Sequence, residues 1–134
     1  MKKHAIILIL SFCLLLTGCR NDEEILNFFD EWDVLASEMV RKIESGDVDG
    51  ARAAFDAKKE SLGSVWRKIP RKTSGSNTKI YMSSAVLKRY QESYFNNLTS
   101  VSTASIPLEI KLAKDPAKLE RLRNLVTEYR AVFK

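Results

Sequence analysis

Beyond residue 21, apolar side chains return every three or four positions, and that rhythm restricts the chain to helices with one buried face. Ile25, Phe28, Phe29, Trp32, Leu35, Met39 and Ile43 step along a first helix at this interval. Asn21 with Glu24 forms a capping box, Asp22 and Glu23 suit the positive helix end, and Arg41 and Lys42 suit the negative one. Gly46 can terminate it, so the spacing predicts a helix over about 22–45. Asp47 then caps a second helix after a very short turn, which makes the pair antiparallel. Val48, Ala51, Phe55, Leu62, Val65 and Ile69 follow a seven-residue repeat broken only by Lys58, and Pro70 stops it.

A third helix begins between Lys79 and Ser84, with Leu87, Tyr90, Tyr94, Leu98 and Val101 on its buried face. Residues 99–105 are poor helix formers and Pro107 follows, so the helix either ends near Ala104 or kinks at Pro107 and continues through Leu112. Leu108, Ile110 and Leu112 alternate as in a strand, but no second strand is legible to pair with them, and the kinked helix is preferred. Asp115-Pro116 opens the last helix, with Leu119, Leu122, Val126, Tyr129 and Phe133 facing inward. The expected fold is all-α, an up-down-up-down four-helix bundle.

The first 19 residues carry a different message. Lys2 and Lys3 precede an apolar run from Ala5 to Leu16 broken only by Ser11, and Leu16-Thr17-Gly18-Cys19 follows. This is the layout of a secretory signal peptide, too short for a spanning helix of about 20 apolar residues. The four-residue end resembles the lipobox of bacterial lipoproteins. The resemblance implies cleavage between Gly18 and Cys19, leaving residues 1–18 as signal peptide and 19–134 as one domain. It also implies a diacylglycerol thioether on Cys19, an acylated new amino terminus, and a lipid bilayer as permanent partner. Arg20 after the lipidated cysteine, rather than aspartate, implies outer-membrane sorting, facing the periplasm, if the source is Gram-negative. Only Arg20 and Asn21 separate Cys19 from the first helix, so the domain is expected to sit against the headgroups.

Absences restrict the chemistry further. The two cysteines are Cys13 and Cys19 and the single histidine is His4, so the expected mature chain has neither a free thiol nor a histidine. Cys/His zinc sites and Ser-His-Asp or Cys-His nucleophile pairs are then excluded, and no phosphate-binding glycine motif occurs. The segment Gly46-Asp47-Val48-Asp49-Gly50-Ala51-Arg52-Ala53-Ala54-Phe55 is similar in texture to the helices of cytochrome c′ and its four-helix relatives. Where those families carry a haem-attaching Cys-x-x-Cys-His or an axial histidine, this chain has Ser64-Val65-Trp66-Arg67. The resemblance therefore implies the bundle and no haem. No metal or cofactor is expected.

Charge divides the chain. Residues 20–60 hold 12 acidic and 6 basic side chains, residues 61–134 hold 5 and 14. Such asymmetry marks either an interaction surface or two halves that complement each other within one fold. Asp22, Glu23, Glu24, Asp30, Glu31 and Asp33 read as a solvated face rather than a carboxylate pair for glycoside cleavage. Trp32, Trp66, Phe28, Phe29 and Phe55 read as core rather than pocket lining. Tyr81, Tyr90 and Tyr94 lie near a polar loop over residues 70–79. That loop and the residues just before it gather five basic side chains without an acid: Arg67, Lys68, Arg71, Lys72 and Lys79. They are the candidate partner- or anion-binding residues. In an exported lipoprotein the partners would be anionic headgroups, cell-wall polymer or an envelope protein, not nucleic acid. The functional expectation is a non-enzymatic binding, scaffold or inhibitor module, the alternative being a carrier of an apolar or anionic small ligand within the bundle.

Overall fold

The structure is a computed structural model that describes the backbone of residues 2–69, 71–74, 77–80 and 83–134 and the side chains of 22–69 and 83–134. It is an all-α four-helix bundle carrying one short hairpin. Helix α1 spans Lys2–Glu44, α2 Val48–Lys68, α3 Ser84–Lys111 and α4 Pro116–Val132, with one turn of 3-10 helix at Leu112–Lys114. Among the described residues no helix is long and apolar enough to cross a membrane.

The helix ends follow the local chemistry. Gly46 takes φ 80°, and its N–H bonds to the Ile43 carbonyl while that of Asp47 bonds to Lys42, the paired closure of a Schellman motif. The Asp47 carboxylate accepts from the Gly50 N–H, Ser83 Oγ from Val86, and the Asp115 carboxylate from Lys118. Ile69 is extended, as the residue before proline must be. Two expectations change. Helix α1 runs unbroken through Asn21, because the upstream alanine, leucine and isoleucine are themselves helix formers and the uncut chain needs no cap there. Residues 70–79 are not a plain loop: β1 (Arg71–Ser74) and β2 (Asn77–Ile80) pair antiparallel, Arg71 opposite Ile80 and Lys72 opposite Lys79. Thr73 pairs with Thr78 in the same backbone register.

Helix α3 continues through Pro107 to Lys111. The proline removes only the N–H that would bond the carbonyl of Thr103, an exposed residue where water can replace it.

Helix directions alternate, but the neighbours are not those of a simple ring. The close backbone approaches join α1 to α3, α1 to α2, α2 to α4 and α3 to α4. Asp30 meets Arg89 and Asp33 meets Asn97, so α1 and α3 run parallel; Glu31 meets Lys58 and Glu24 meets Lys68, so α2 runs against α1. Asp49 with Arg121 and Arg52 with Glu128 make α2 and α4 parallel as well. The bundle is thus two antiparallel helical hairpins, α1–α2 and α3–α4, docked like on like, and the α2–α3 connection crosses its diagonal.

The core is graded along the axis. Near the start of the described part of α1 it is aromatic: Trp32 stacks on Phe133 at 4.4 Å between ring centroids, Trp66 on Tyr94 at 5.4 Å, and Tyr90 on Tyr94 at 4.8 Å. Toward the other end it is aliphatic, with Met39, Ile43, Val48, Val101, Leu108, Leu122 and Leu125 buried. Of the residues expected on the buried face of α3, Val101 is buried and Tyr90, Tyr94 and Leu98 pack against the core, but Leu87 does not. Leu87 is 39% exposed, while Val86, Ser93, Asn97 and Ser105 are buried, Ser93 and Asn97 because they answer Asp33 on α1.

Candidate functional site

Arg67 and Lys68 close the last turn of α2, where cations offset the carbonyl dipoles of a helix end. Both are exposed. Lys68 Nζ lies 3.9 Å from Glu24 Oε1, so these cations share a pole with the start of the described part of α1. That contact is too exposed to add much stability. An open groove of about 910 Å³ separates the ends of α2 and α4 at this pole. Trp66, Ile69 and Val132 form its apolar wall, with Arg67, Lys68 and Lys134 beside them. Gly63 lets α4 come close here, since a Cβ on it would stand 3.2 Å from Val132 and 3.3 Å from the Arg67 guanidinium.

Arg71 and Lys72 fall on β1 and Lys79 on β2, with Lys72 and Lys79 in register. Their side chains, and those of Tyr81 and Cys19, lie outside the described residues. The structure therefore brings Arg67 and Lys68 to one groove edge and gives the other three basic residues only a backbone position.

The acidic residues of α1 do not face each other across a cleft. Glu31 pairs with Lys58 at 2.9 Å, and Asp30 and Asp33 converge on Arg89. Glu24 with Lys68, Asp30 and Asp33 with Arg89, and Asp49 with Arg121 each join an acid of the first half to a base of the second. Part of the charge asymmetry is thus neutralised within the fold. Arg52 grips Glu128 through both nitrogens at 2.8 Å, which holds the Glu128 carboxyl below its ordinary range.

A network absent from the expected sites lies on the α1–α3 seam. Asp33 accepts from Arg89, from Asn97 Nδ2 at 2.6 Å and from Ser93 Oγ. Arg89 also donates to Asp30 and Ser93, and its hydrogen bond to Asp30 is the first cause of its raised pKa. Trp32 Nε1 donates to Tyr129 Oη at 2.8 Å, and that hydroxyl donates to the Asn97 carbonyl at 3.0 Å. Burial pushes the Tyr129 phenol well above its usual range, so it stays a donor. Both carboxylate oxygens of Asp33 thus accept, Oδ1 from Asn97 and Oδ2 from Arg89 and Ser93. The arrangement fixes the register of α1 against α3. Its legible trace in the sequence is a run of polar residues at four-residue steps, Arg89, Ser93 and Asn97, on the side of α3 that α1 covers.

The aromatic side chains contact one another rather than lining a chamber: Phe28 touches Phe29, Trp32, Trp66 and Phe133 at 5.0–6.3 Å between ring centroids. Among the described residues no group of three or more His, Cys, Asp and Glu side chains is placed to hold a metal ion. Compared with protein-family models, curated proteins and solved structures, the chain matches none.

Proposed function

We propose that this chain is a lipid-anchored protein of the bacterial cell envelope that works by binding, as a scaffold, accessory factor or inhibitor, and not by catalysis. The observation that carries the reading is Leu16-Thr17-Gly18-Cys19 at the end of a basic-then-apolar leader. Position 19 precedes Glu24 by five residues on one helix, about 8 Å of axial rise. Lys68 beside Glu24 therefore sits close to the attachment point, and a cluster there would meet headgroups directly. Lys72 and Lys79 hold paired backbone positions on the hairpin that follows α2. For the carrier reading, Phe28, Phe29 and Trp32 are taken up as ring partners of one another, and Trp66 is an aromatic side chain that also borders the open groove.

Cys19→Ser removes the thiol needed for the thioether. Metabolic labelling with palmitate is expected to mark the parent chain and not the variant; label on both, or on neither, would sink the anchoring claim. On that unlipidated background, exchanging Arg67, Lys68, Arg71, Lys72 and Lys79 for glutamine tests the basic pole. Each basic residue near an anionic surface contributes about 1 kcal/mol, so binding to phosphatidylglycerol vesicles is expected to fall at least about a hundredfold. The attraction of the parent should fade at high salt, while thermal unfolding changes little. Equal vesicle binding by both chains would reduce the cluster to a solvated surface.

A further inference from the structure

Helix α4 stops short of its neighbour. Gly63 marks where the two touch, since a Cβ there would stand 3.2 Å from Val132, the last residue of α4. Helix α2 runs on to Lys68, about 7.5 Å further along its axis. The open groove of about 910 Å³ follows this step, and small-ligand clefts measure about 300–1,000 Å³.

Charge is ordered along the groove. Glu128 lines it, but Arg52 already holds both its oxygens, and Lys59 is paired with Asp56. Glu60 lies two turns, about 10 Å, before Arg67 on the same side of α2. The end at the pole is thus left to the cations Arg67, Lys68 and Lys134.

Arg67 is exposed, yet its guanidinium is drawn back along α2. The point over Gly63 that lies 3.2 Å from Val132 is also 3.3 Å from the Arg67 Nη1, which sets that nitrogen against the end of α4. A guanidinium carries five N–H donors, and among the described residues Arg67 makes no ion pair or side-chain hydrogen bond. Its charge offsets the dipole of the helix end without using those donors. Paired N–H groups in a plane match the oxygens of a phosphate. Beside them the apolar floor is narrow, with Trp66 3% and Ile69 4% exposed and Val132 half-buried. Such a floor suits the glycerol and first methylenes of a lipid whose chains stay in the bilayer.

We infer that this end of the groove binds the phosphate of one anionic phospholipid, with Arg67 donating to its oxygens and Trp66, Ile69 and Val132 meeting its glycerol carbons. The inference rests on the membrane-anchored reading for the source of its ligand: the contact of Lys68 with Glu24 puts the site at the pole from which α1 leads back to Cys19. It also goes beyond that reading. A basic cluster that adsorbs to a surface responds to total charge, whereas this site saturates at one lipid per chain and depends on one arginine.

The test reconstitutes the full chain in phosphatidylcholine nanodiscs with rising fractions of phosphatidylglycerol brominated near the head of its acyl chains. Bromine quenches tryptophan at short range, and the two tryptophans of the chain lie 5.8 Å apart between ring centroids, one of them lining the groove. Quenching is expected to saturate and to exceed that by brominated phosphatidylcholine at least about threefold. Arg67→Gln should raise the half-saturating fraction at least about tenfold, as loss of a charged hydrogen-bond partner does. Ala131→Phe, at an exposed position on the groove wall, fills the space without changing charge and should do the same. Lys72→Gln/Lys79→Gln should shift it less than about threefold. Reconstitution places the chain on lipid whatever holds it there in the cell, so failure here leaves the palmitate result standing, and the two failures are told apart. Equal quenching by the two lipids overturns the inference, as do parent values for Arg67→Gln or Ala131→Phe. A loss in Lys72→Gln/Lys79→Gln as large as in Arg67→Gln assigns the effect to total charge and overturns it. Relief of quenching by excess glycerol phosphate gives the site to a free phosphate ester and overturns it too.

Discussion

Replacing Trp32 by alanine should cost about 3–5 kcal/mol of stability, the range for deleting a large buried aromatic side chain. Trp32 is fully buried, stacks on Phe133, and lies within 6.3 Å of Phe28, Phe29, Trp66 and Tyr94 measured between ring centroids. Its N–H also ties α1 to Tyr129 on α4, across a diagonal where the two backbones do not approach closely. Alanine leaves a void among the rings of Phe28, Trp66, Tyr94 and Phe133, which surrounding structure closes only in part. Domains are stable by only about 5–15 kcal/mol, so the loss is a third or more of the total. Urea unfolding followed by circular dichroism measures it. A cost under about 1 kcal/mol would show that the aromatic end of the bundle is not close-packed.

Arg89→Met should cost about 2–3 kcal/mol. It removes the cation from a carboxylate that the seam holds two-thirds buried: the side-chain exposures are 33% for Asp33 and 28% for Arg89. Asn97 and Ser93 still donate to Asp33, which keeps the cost below that of a fully buried orphaned charge. Asp30, 66% exposed, adds little. The double variant Arg89→Met/Asp33→Leu should recover most of the loss, because replacing both partners removes the unpaired charge. A double-mutant cycle reads the coupling directly. A single variant within about 0.5 kcal/mol of the parent would class these charges as ordinary solvated surface.

The contrast between these two sites marks what the sequence makes legible. Helix number, the caps at Asp47 and Asp115, the Gly46 terminus and the burial of Trp32 are written in local chemistry and in one period. The continuation of α3 through Pro107 is weighed correctly because the alternative needed a strand partner. Of the Arg89–Asp33–Asn97 network only the four-residue spacing of Arg89, Ser93 and Asn97 shows in the sequence, since each member reads as ordinary helix surface until α1 and α3 are known to be neighbours. Leu87 failed for the same reason: a helix with polar residues on its inner face gives no clear apolar phase. The hairpin over 71–80 escaped because a polar segment with Ser-Gly-Ser at its centre is as consistent with a loop as with a tight turn. The five basic residues were found by composition, but only Arg67 and Lys68 acquire surroundings from the fold.

Topology also bears on the order of assembly. Each helical hairpin closes over a short connection, so α1–α2 and α3–α4 are inexpensive in loop entropy and can form early. The bond from Asn97 to Asp33 spans 64 residues and that from Trp32 to Tyr129 spans 97, so both wait on the meeting of the two preformed pairs. At that encounter the hairpins can meet in two ways, like helix on like or crossed, and the apolar faces alone discriminate poorly between them. The polar seam is what the wrong encounter cannot satisfy: it would leave Asp33 without Arg89 and Asn97. The network therefore rewards the like-on-like docking, because its hydrogen bonds from α3 to Asp33 exist only there.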